Sequence, residues 1–308
     1  MGIGNSDGEG GMSLSPVLAA LTSEAIHILR EGVSEARNPV ILFSAGKDST
    51  VLAHLVLQAF DPSRPPMPLL HVDSTWEFKE LLAFRDAFAR EHGFDLIVYA
   101  NEEGRGRDLN PFEHGDVYTT VMRTEALKQA LDRGGYDVIF GGARRDEEKT
   151  RAKERIVSVR GEQHTWDPRA QRPELWMTHN WRRGPGQTIR AYPLSNWTEA
   201  DIWAYISAYQ LPISSLYLAA QRKVVERSSA LIVVDDPARM RWRTNDQPRE
   251  LKVRFRTLGC WPVTAAISSE ADSIERVVAE TVTSAMSERQ GRVSDEGSLE
   301  AQKRQGYF

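Results

Sequence analysis

The feature that most constrains this chain is the stretch of residues 39–60, where an apolar run, a turn of small residues and a second apolar segment follow one another. Residues 40–43 (VILF) form a continuous apolar run of the kind that a parallel strand buried on both faces requires. In the second segment the apolar residues recur with helical spacing. The stretch therefore predicts a strand, a tight loop and a helix, in that order.

The loop between this strand and this helix has the composition of a phosphate-binding loop. Its first three residues are small enough for backbone N–H groups to approach an anion closely, and Lys47 adds a positive charge beside them. The N-terminus of the helix would point its positive end at the same place. We predict that the residues holding phosphate groups, called the phosphate loop below, are Ser44, Ala45, Gly46, Lys47, Asp48 and Ser49.

The order of residues in the phosphate loop excludes a Walker A motif. Lys47 is followed by Asp48 rather than by Ser or Thr, and Ile41 occupies the position of the first glycine. The S-x-G-x-D-S pattern of residues 44–49 instead resembles the S-G-G-x-D-S pyrophosphate loop of enzymes that cleave ATP between the α and β phosphates. For this segment alone, an ordinary strand-to-helix turn is the alternative.

Further apolar runs predict four more strands of the same sheet, near residues 69–72, 95–99, 137–140 and 189–194. Segments with helical spacing lie between several of them. Alternating strands and helices predict an α/β fold, a Rossmann-like parallel sheet with helices on both faces. The polar segment 101–116 is predicted to be a long loop.

Composition divides the chain into three parts. Residues 1–12, with five glycines, predict a flexible tail. Residues 13–217 predict the nucleotide-binding α/β domain, and residues 218–308 a C-terminal extension that docks a partner or covers the site. Alternate basic residues in this extension would share one face of a strand, which could meet an anionic ligand or an acidic partner. These residues are Lys252, Arg254 and Arg256.

Polar residues follow the predicted strands at the edge of the sheet where ligands of parallel sheets bind. Asp73 follows the second strand and is predicted to bind a nucleoside or a metal, with a helix N-cap as the equal alternative. His71, inside the apolar run, is interpreted as a core residue. Arg144 and Arg145 follow the fourth strand, and we predict anion binding because guanidinium groups suit tetrahedral oxyanions. The charges of residues 147–155 fit either a solvated helix face or the same site.

Composition also excludes several classes of protein. The single cysteine, Cys260, rules out a disulfide framework and any paired-cysteine site within one chain, and we interpret it as a packed thiol. A net charge of −4 gives no overall signal for nucleic-acid binding. No apolar run approaches about 18 residues, and a secretory signal is missing. We therefore expect a cytoplasmic protein that binds neither nucleic acid nor membranes.

Several sequence blocks, taken together and in order, resemble one known family. They are SAGKDST, HVDSTWEF, NPFEHG, GGARRDEEKTRAKERI, QRPELW, PLSNWTEADIW, VRFRTLGCWPVT and SERQGR with a terminal GYF. This pattern is similar to that of the small subunits of bacterial sulfate adenylyltransferases, within the wider phosphoadenosine phosphosulfate reductase-like group. The resemblance runs from about residue 21 to residue 308, and it implies a fold of the adenine nucleotide alpha hydrolase type.

The resemblance implies that ATP and sulfate react to give adenosine 5′-phosphosulfate and pyrophosphate. The phosphate loop would hold the β and γ phosphates as they leave. Lys47, Arg144 and Arg145 would be the catalytic residues that supply positive charge, and the two arginines would also bind sulfate. Mg²⁺ would bridge the phosphates, its protein ligands are left open, and no tightly bound cofactor is expected.

The family couples this uphill reaction to GTP hydrolysis on a separate large subunit. Because the chain has no Walker A motif, the resemblance implies a GTPase partner, which could be fused to an adenylylsulfate kinase. Two alternatives stay open. One is a phosphoadenosine phosphosulfate reductase-like enzyme, although such reductases carry a Glu-Cys-Gly cysteine near the C-terminus and Cys260 lies in Gly-Cys-Trp. The other is a non-catalytic subunit that regulates a GTPase.

The chain departs from the family pattern at three places. Glu77 stands where the family often has lysine, which puts any role of that lysine in doubt. Ala45 replaces a glycine of the general pyrophosphate loop, although alanine should still permit close approach of the backbone. Residues 265–266, both alanine, replace a common Thr-Gly pair, so the geometry of that turn is open.

Overall fold

The computed structural model describes residues 14–147, 151–176 and 178–283. The predicted tail of residues 1–12 and the polar C-terminal segment after residue 283 lie outside the described residues, as does Lys149 of the charged segment. Among the described helices, none is both long enough and apolar enough to cross a bilayer.

Six strands in the described part of the chain form the main sheet. They are β1 (Pro39–Leu42), β2 (Leu69–Val72), β3 (Leu96–Tyr99), β4 (Val138–Phe140), β5 (Val157–Arg160) and β6 (Thr188–Ala191). Their order is β3-β2-β1-β4-β6-β5, and all neighbours are parallel except β5, which runs antiparallel to β6. The predicted α/β fold with a mostly parallel sheet is confirmed.

Helices cover both faces of this sheet. The α-helices of the described residues are α1 (Pro16–Glu35), α2 (Lys47–Phe60), α3 (Lys79–Glu91), α4 (Glu102–Gly106), α5 (Pro111–Thr119), α6 (Ala126–Gly134), α7 (Glu199–Ala208) and α8 (Ile274–Thr283). A π-helical turn, Thr120–Glu125, joins α5 to α6. Short 3-10 turns occupy much of the chain between β4 and α7.

The central strands are buried on both faces, as their continuous apolar run predicts. Ile41 of β1 and Phe140 of β4 belong to the larger core cluster, which includes apolar residues of α1 and α2. Val40 and Ile139, the alternate residues of the same strands, belong to a smaller cluster with apolar residues of α6. Because successive side chains of a strand point to opposite faces, one short strand contributes to both cores.

A second, antiparallel sheet lies within residues 220–268. Its strands are β7 (Ala220–Arg227), β8 (Ala230–Val233), β9 (Arg249–Arg254) and β10 (Ile267–Ser268), in the order β10-β9-β7-β8. Helix α8 packs against α7, so this part of the chain contacts the main domain.

The predicted basic face of this second sheet is used inside the chain. β9 ends at Arg254, so Arg256 lies beyond the strand. Arg254 is buried and binds Glu280 at 2.8 Å, and Arg256 binds Glu199 at 2.7 Å. Lys252 binds two carboxylates, at 2.9 and 3.0 Å. Each of these three cations thus has a carboxylate partner within the chain, and the docking role of this face stays a prediction.

Two local predictions were wrong. The segment 101–116, predicted to be a loop, is largely helical, because Asn101 caps α4 and Asn110 caps α5 through their side-chain oxygens, at 2.8 and 3.0 Å. The described parts of the charged segment 147–155 form 3-10 turns rather than a regular helix. Strand β5 was not predicted, because its alternation of valine with serine and arginine spans only four residues.

Candidate active site

The order of strands creates a crevice at the carboxyl edge of the main sheet. From β1 the chain builds β2 and β3 on one side, and it then returns to place β4 on the other side of β1. The connections after β1 and β4 therefore lead towards opposite edges of the sheet, which is the arrangement that opens a binding crevice in α/β sheets. A cavity of about 160 Å³ lies here, lined by residues of the phosphate loop and by residues 141–143 after β4.

The phosphate loop is held in a conformation that leads directly into α2. Ala45 adopts a left-handed conformation with φ 59°, which explains why general loops of this kind carry glycine there. The hydroxyls of Ser49 and Thr50 donate to the carbonyl of Gly46 at 3.0 and 2.9 Å. Gly46 caps α2 without a side-chain acceptor; the N–H of Lys47 donates to the hydroxyl of Tyr217 at 2.8 Å, and the next two residues of the first turn, Asp48 and Ser49, line the cavity.

The loop after β4 approaches the phosphate loop at backbone distance. A Cβ atom on Gly142 would lie 3.1 Å from the carbonyl carbon of Asp48 and 3.2 Å from the amide nitrogen of Ser49. These neighbours are backbone atoms, which cannot move aside as the end of a flexible side chain can. Glycine at this position therefore sets how closely the two loops approach each other.

Asp48 is the counterion of two buried cations at this site. Its carboxylate accepts from Arg144 Nε at 2.5 Å and from Lys47 Nζ at 3.1 Å, and both cationic side chains are fully buried. Burial alone raises the pKa of Asp48, but the charges of Arg144 and Lys47 outweigh it and hold that pKa well below its usual range. Asp48 therefore stays ionised and orients both cations.

The two arginines predicted to meet the anion do not line this cavity. Arg144 turns back to Asp48, as described above. Arg145 extends the other way, where it binds the side-chain oxygen of Asn196 at 2.7 Å and the carboxylate of Glu174 at 3.4 Å. The structure thus brings Lys47 and Asp48 to the cavity but not Arg145, and the sulfate-binding role of both arginines stays a prediction.

Three other arginines line the cavity; the sequence reasoning did not select Arg123 and Arg190, and it left Arg151 open between the site and a solvated helix face. Arg123 comes from the π-helical turn, Arg151 from a 3-10 turn and Arg190 from the middle of β6. Burial lowers the pKa of Arg190 to about 10, which leaves it charged at neutral pH. An arginine inside a buried strand is the signal that could have found Arg190. Together with Lys47, four separate segments supply positive charge to one cavity.

A second cavity of about 130 Å³ adjoins the first. Both are lined by Leu42, Ser44, Arg123 and Leu258, so they form one continuous site. The walls of the second cavity are mostly apolar and come from β1, β2, α3 and α6. Residues 258–260 close one side, so the predicted C-terminal extension contributes to the site.

Asp73 lies beside this second cavity but does not line it. Its carboxylate accepts from the amide of Thr75 at 2.7 Å, which closes a local turn; the alternative of a helix N-cap was wrong, because the N-cap residue of α3 is Phe78. Burial first, and then the charge of Asp73, raise the pKa of Glu77 to about 7. His71 is buried as expected, and its Nδ1 lies 2.9 Å from the carbonyl of Phe43.

Comparison with known proteins agrees with this architecture. Residues 38–266 match the phosphoadenosine phosphosulfate reductase domain family. The chain is 55% identical over 303 residues to sulfate adenylyltransferase subunit 2 of Xanthomonas euvesicatoria pv. vesicatoria, which covers 96% of this chain and 100% of that protein. This chain belongs to the sulfate adenylyltransferase subunit 2 family. The family resemblance drawn from the sequence blocks is thereby confirmed.

Other members of the family show the same extent of similarity. Subunit 2 of Acinetobacter baumannii strain AYE is 54% identical and that of Halorhodospira halophila 55% identical, each over 295 residues, 94% of this chain and 97% of the relative. Among solved structures, a phosphoadenylyl-sulfate reductase from Candida auris in a phosphate complex is 18% identical, with a TM-score of 0.47, over 67% of this chain and 93% of that one.

Proposed function

We propose that this chain is the subunit of a sulfate adenylyltransferase that converts ATP and sulfate into adenosine 5′-phosphosulfate and pyrophosphate. The observation that carries the proposal is the continuous site at the crevice beside β1. One end has the phosphate loop and cations from four segments, as a triphosphate and sulfate require. The other end has apolar walls, as a nucleobase requires.

The chemistry asks for position and charge rather than for a general base. Sulfate has no proton to lose at neutral pH, and one of its oxygens would form a bond to the α phosphorus while the bond from that phosphorus to the pyrophosphate oxygen breaks. The N–H groups at the start of α2 and Lys47 would hold the departing phosphates. Arg190 and Arg151, which line the same cavity, would neutralise further charge there. Arg144 would act through Asp48 by holding the phosphate loop in place.

Mg²⁺ would arrive with the triphosphate. Within the described ranges, no three His, Cys, Asp or Glu side chains group into a metal site. A site with few protein carboxylates suits an ion that is bound mainly by phosphates, since Mg²⁺ keeps several waters and needs few protein oxygens. The hydroxyl of Ser49, buried at the cavity 3.2 Å from that of Ser44, is an oxygen ligand of suitable type. When bound, the ion would neutralise charge on the phosphates.

The relatives are named as one subunit of an enzyme, so this family works with a partner subunit. The partner in our proposal is a GTPase, because formation of the phosphosulfate is uphill and the loop of residues 44–49 is not a Walker A motif. A kinase domain fused to that partner remains an open part of the proposal. Purification of the chain with a GTP-binding protein would support this assignment, and activity of the chain alone without GTP would contradict it.

A pair of lysine variants tests the catalytic role. We expect Lys47→Met, in complex with the partner, to lower formation of labelled adenosine 5′-phosphosulfate at least about a hundredfold, because it removes a buried charge beside the phosphates. The control is Lys79→Met, at an exposed lysine paired with Asp236, which should keep normal rates. Unchanged turnover by a folded Lys47→Met protein would favour a non-catalytic, regulatory subunit instead.

A separate assay distinguishes synthesis of the phosphosulfate from its reduction. Cys260 is buried, and Arg123 Nη1 lies 4.0 Å from its sulfur. A packed thiol of this kind is not expected to act as a reductase nucleophile. We expect no thioredoxin-dependent release of sulfite from the wild-type protein. Sulfite release that disappears in Cys260→Ser would overturn the proposed function.

A further inference from the structure

The second cavity has an apolar lining with two hydrogen-bond acceptors in it. Its apolar walls include Leu42, Leu70 and Leu127, which would contact the faces of a flat ring system. The carboxyl group of Glu77 and the imidazole of His71 also line it. A buried polar atom needs a partner, so the chemistry of these two groups indicates what the cavity can bind.

Glu77 is held in one position by a directed chain of hydrogen bonds. Tyr118 donates its hydroxyl proton to Ser74 Oγ at 2.7 Å, and Ser74 Oγ donates to Glu77 Oε1 at 2.5 Å. The amide of Ser74 donates to the same oxygen at 3.0 Å. The other oxygen, Oε2, is buried without a hydrogen-bond donor among the residues that the structure describes. Glu77 therefore presents one fixed oxygen that can accept a proton donor from a ligand.

His71 offers a second acceptor. Its Nδ1 must carry a proton, because the atom 2.9 Å away is the carbonyl oxygen of Phe43, which only accepts. Burial lowers the pKa of His71 to about 4, so the ring is neutral at pH 7 and Nε2 is an acceptor. In the described part of the chain, Nε2 is also buried with no hydrogen-bond partner. Glu77 Oε2 and His71 Nε2 thus suit donors rather than acceptors, whereas Ser44 and Arg123 line the side that this cavity shares with the first one.

We propose that Glu77 is a specificity-determining residue, whose Oε2 accepts a hydrogen bond from the 6-amino group of the purine. This inference rests on the proposed function, since it places the base of ATP in the second cavity. An amino group supplies the N–H donor that the acceptors lack. A purine with a carbonyl at C6 would bring an oxygen against the carboxylate, and that oxygen cannot donate. Selection for the amino purine matters in an enzyme whose proposed partner binds GTP.

The position of Glu77 makes the inference specific to this chain. A lysine, which stands at this position in related sequences according to the resemblance above, could donate to a C6 carbonyl but could not accept from an amino group. The neighbouring Asp73 carboxylate lies within hydrogen-bonding reach of Glu77 and helps raise its pKa, so the two carboxyl groups share a proton when Glu77 is protonated, and Glu77 is an acceptor for a ligand when it is ionised. The acceptor character of the cavity therefore depends on Glu77 more than on its apolar walls.

The test compares three nucleotides on matched variants of the full chain in complex with its partner. The nucleotides are ATP, the purine ribonucleoside triphosphate with hydrogen at C6, and inosine triphosphate with a carbonyl at C6. The variants are Glu77→Met, which keeps the side-chain length, Glu77→Lys, and the control Glu103→Met at an exposed residue of α4. The readout is kcat/KM for pyrophosphate release, with thermal melting to check folding.

At about pH 8.5, where Glu77 is ionised although its pKa is raised to about 7, we expect the wild-type protein and Glu103→Met to prefer ATP over the C6-hydrogen analogue at least about tenfold, as a hydrogen bond to a charged group allows. Glu77→Met should reduce this preference below about threefold while the rate with the C6-hydrogen analogue changes little. Glu77→Lys should raise kcat/KM for inosine triphosphate relative to that for ATP. If folded Glu77→Met keeps the full preference for ATP, the role of Glu77 is refuted and the proposed function is not affected. If the wild-type complex transfers no adenylyl group from ATP, both the proposed function and this inference are refuted.

Discussion

Replacement of Asp48 by asparagine tests the electrostatic design of the phosphate loop. The carboxylate lies between Arg144 Nε at 2.5 Å and Lys47 Nζ at 3.1 Å, and both cationic side chains are fully buried. The asparagine keeps the shape of the side chain but removes its charge. Two buried cations would then lose the negative charge between them, although Arg144 would keep its longer ion pair with Asp146, at 3.6 Å.

The expected cost follows from the burial of the pair. Removal of one partner of a buried ion pair costs about 3–5 kcal/mol of the free energy of unfolding, because the remaining charge stays buried and uncompensated. The exposed fraction of the Asp48 side chain is 21%, so solvent screens only part of the effect. We therefore expect a loss of about 3 kcal/mol for Asp48→Asn. In the double variant Asp48→Asn/Arg144→Met, which also removes one cation, the loss should be smaller than the sum of the two single losses by at least about 1 kcal/mol.

Urea unfolding followed by tryptophan fluorescence measures these differences, with the control Glu103→Gln at an exposed pair with Arg107. The pH dependence is a second readout. Because the folded pKa of Asp48 is lowered, its stabilisation is fully present above the unfolded pKa of about 3.9 and is lost as pH falls below it. The difference in the free energy of unfolding between wild type and Asp48→Asn should therefore be constant at neutral pH and become smaller in acid. A cost below about 1 kcal/mol, or additive single losses, would refute this account of the loop.

Two further predictions concern the walls of the first cavity. Gly142→Ala should destabilise the protein by about 1–3 kcal/mol and raise KM for ATP, because the new Cβ would lie 3.1 Å from the backbone of Asp48. A normal KM together with normal stability would show that the two loops are not in close contact. Arg190→Met should lower kcat for phosphosulfate formation at least about a hundredfold, with Arg105→Met at an exposed arginine of α4 as the control. Equal rates for these two arginine variants would remove Arg190 from the proposed mechanism.

The sequence by itself determined the local unit at the centre of the protein. The apolar run of β1, the small residues of the phosphate loop and the helical spacing of α2 are all contained in residues 39–60, and the structure has that strand, loop and helix. The mostly parallel sheet was also predictable, because a strand buried on both faces reads as an unbroken apolar run. The family could be recognised for a similar reason, since its sequence blocks are short and contiguous.

Only the tertiary structure decided which charges meet at the site. Arg144 and Arg145 are neighbours in sequence, yet one turns to Asp48 and the other to Asn196, away from the cavity. Arg123 and Arg190 come from distant segments and line the same cavity. Long side chains reach several ångströms from the backbone, so their partners depend on which segments the fold packs together.

The same reason explains what was missed about Glu77. Its sequence context showed only that an acidic residue replaces a basic one, whereas its fixed position depends on Ser74 and on Tyr118 of α5. A strand or a loop can be predicted from neighbours along the chain, because its backbone hydrogen bonds and burial pattern are periodic. The charge and the hydrogen-bonding groups of a cavity cannot be predicted in this way, because they come from residues that become neighbours only after folding.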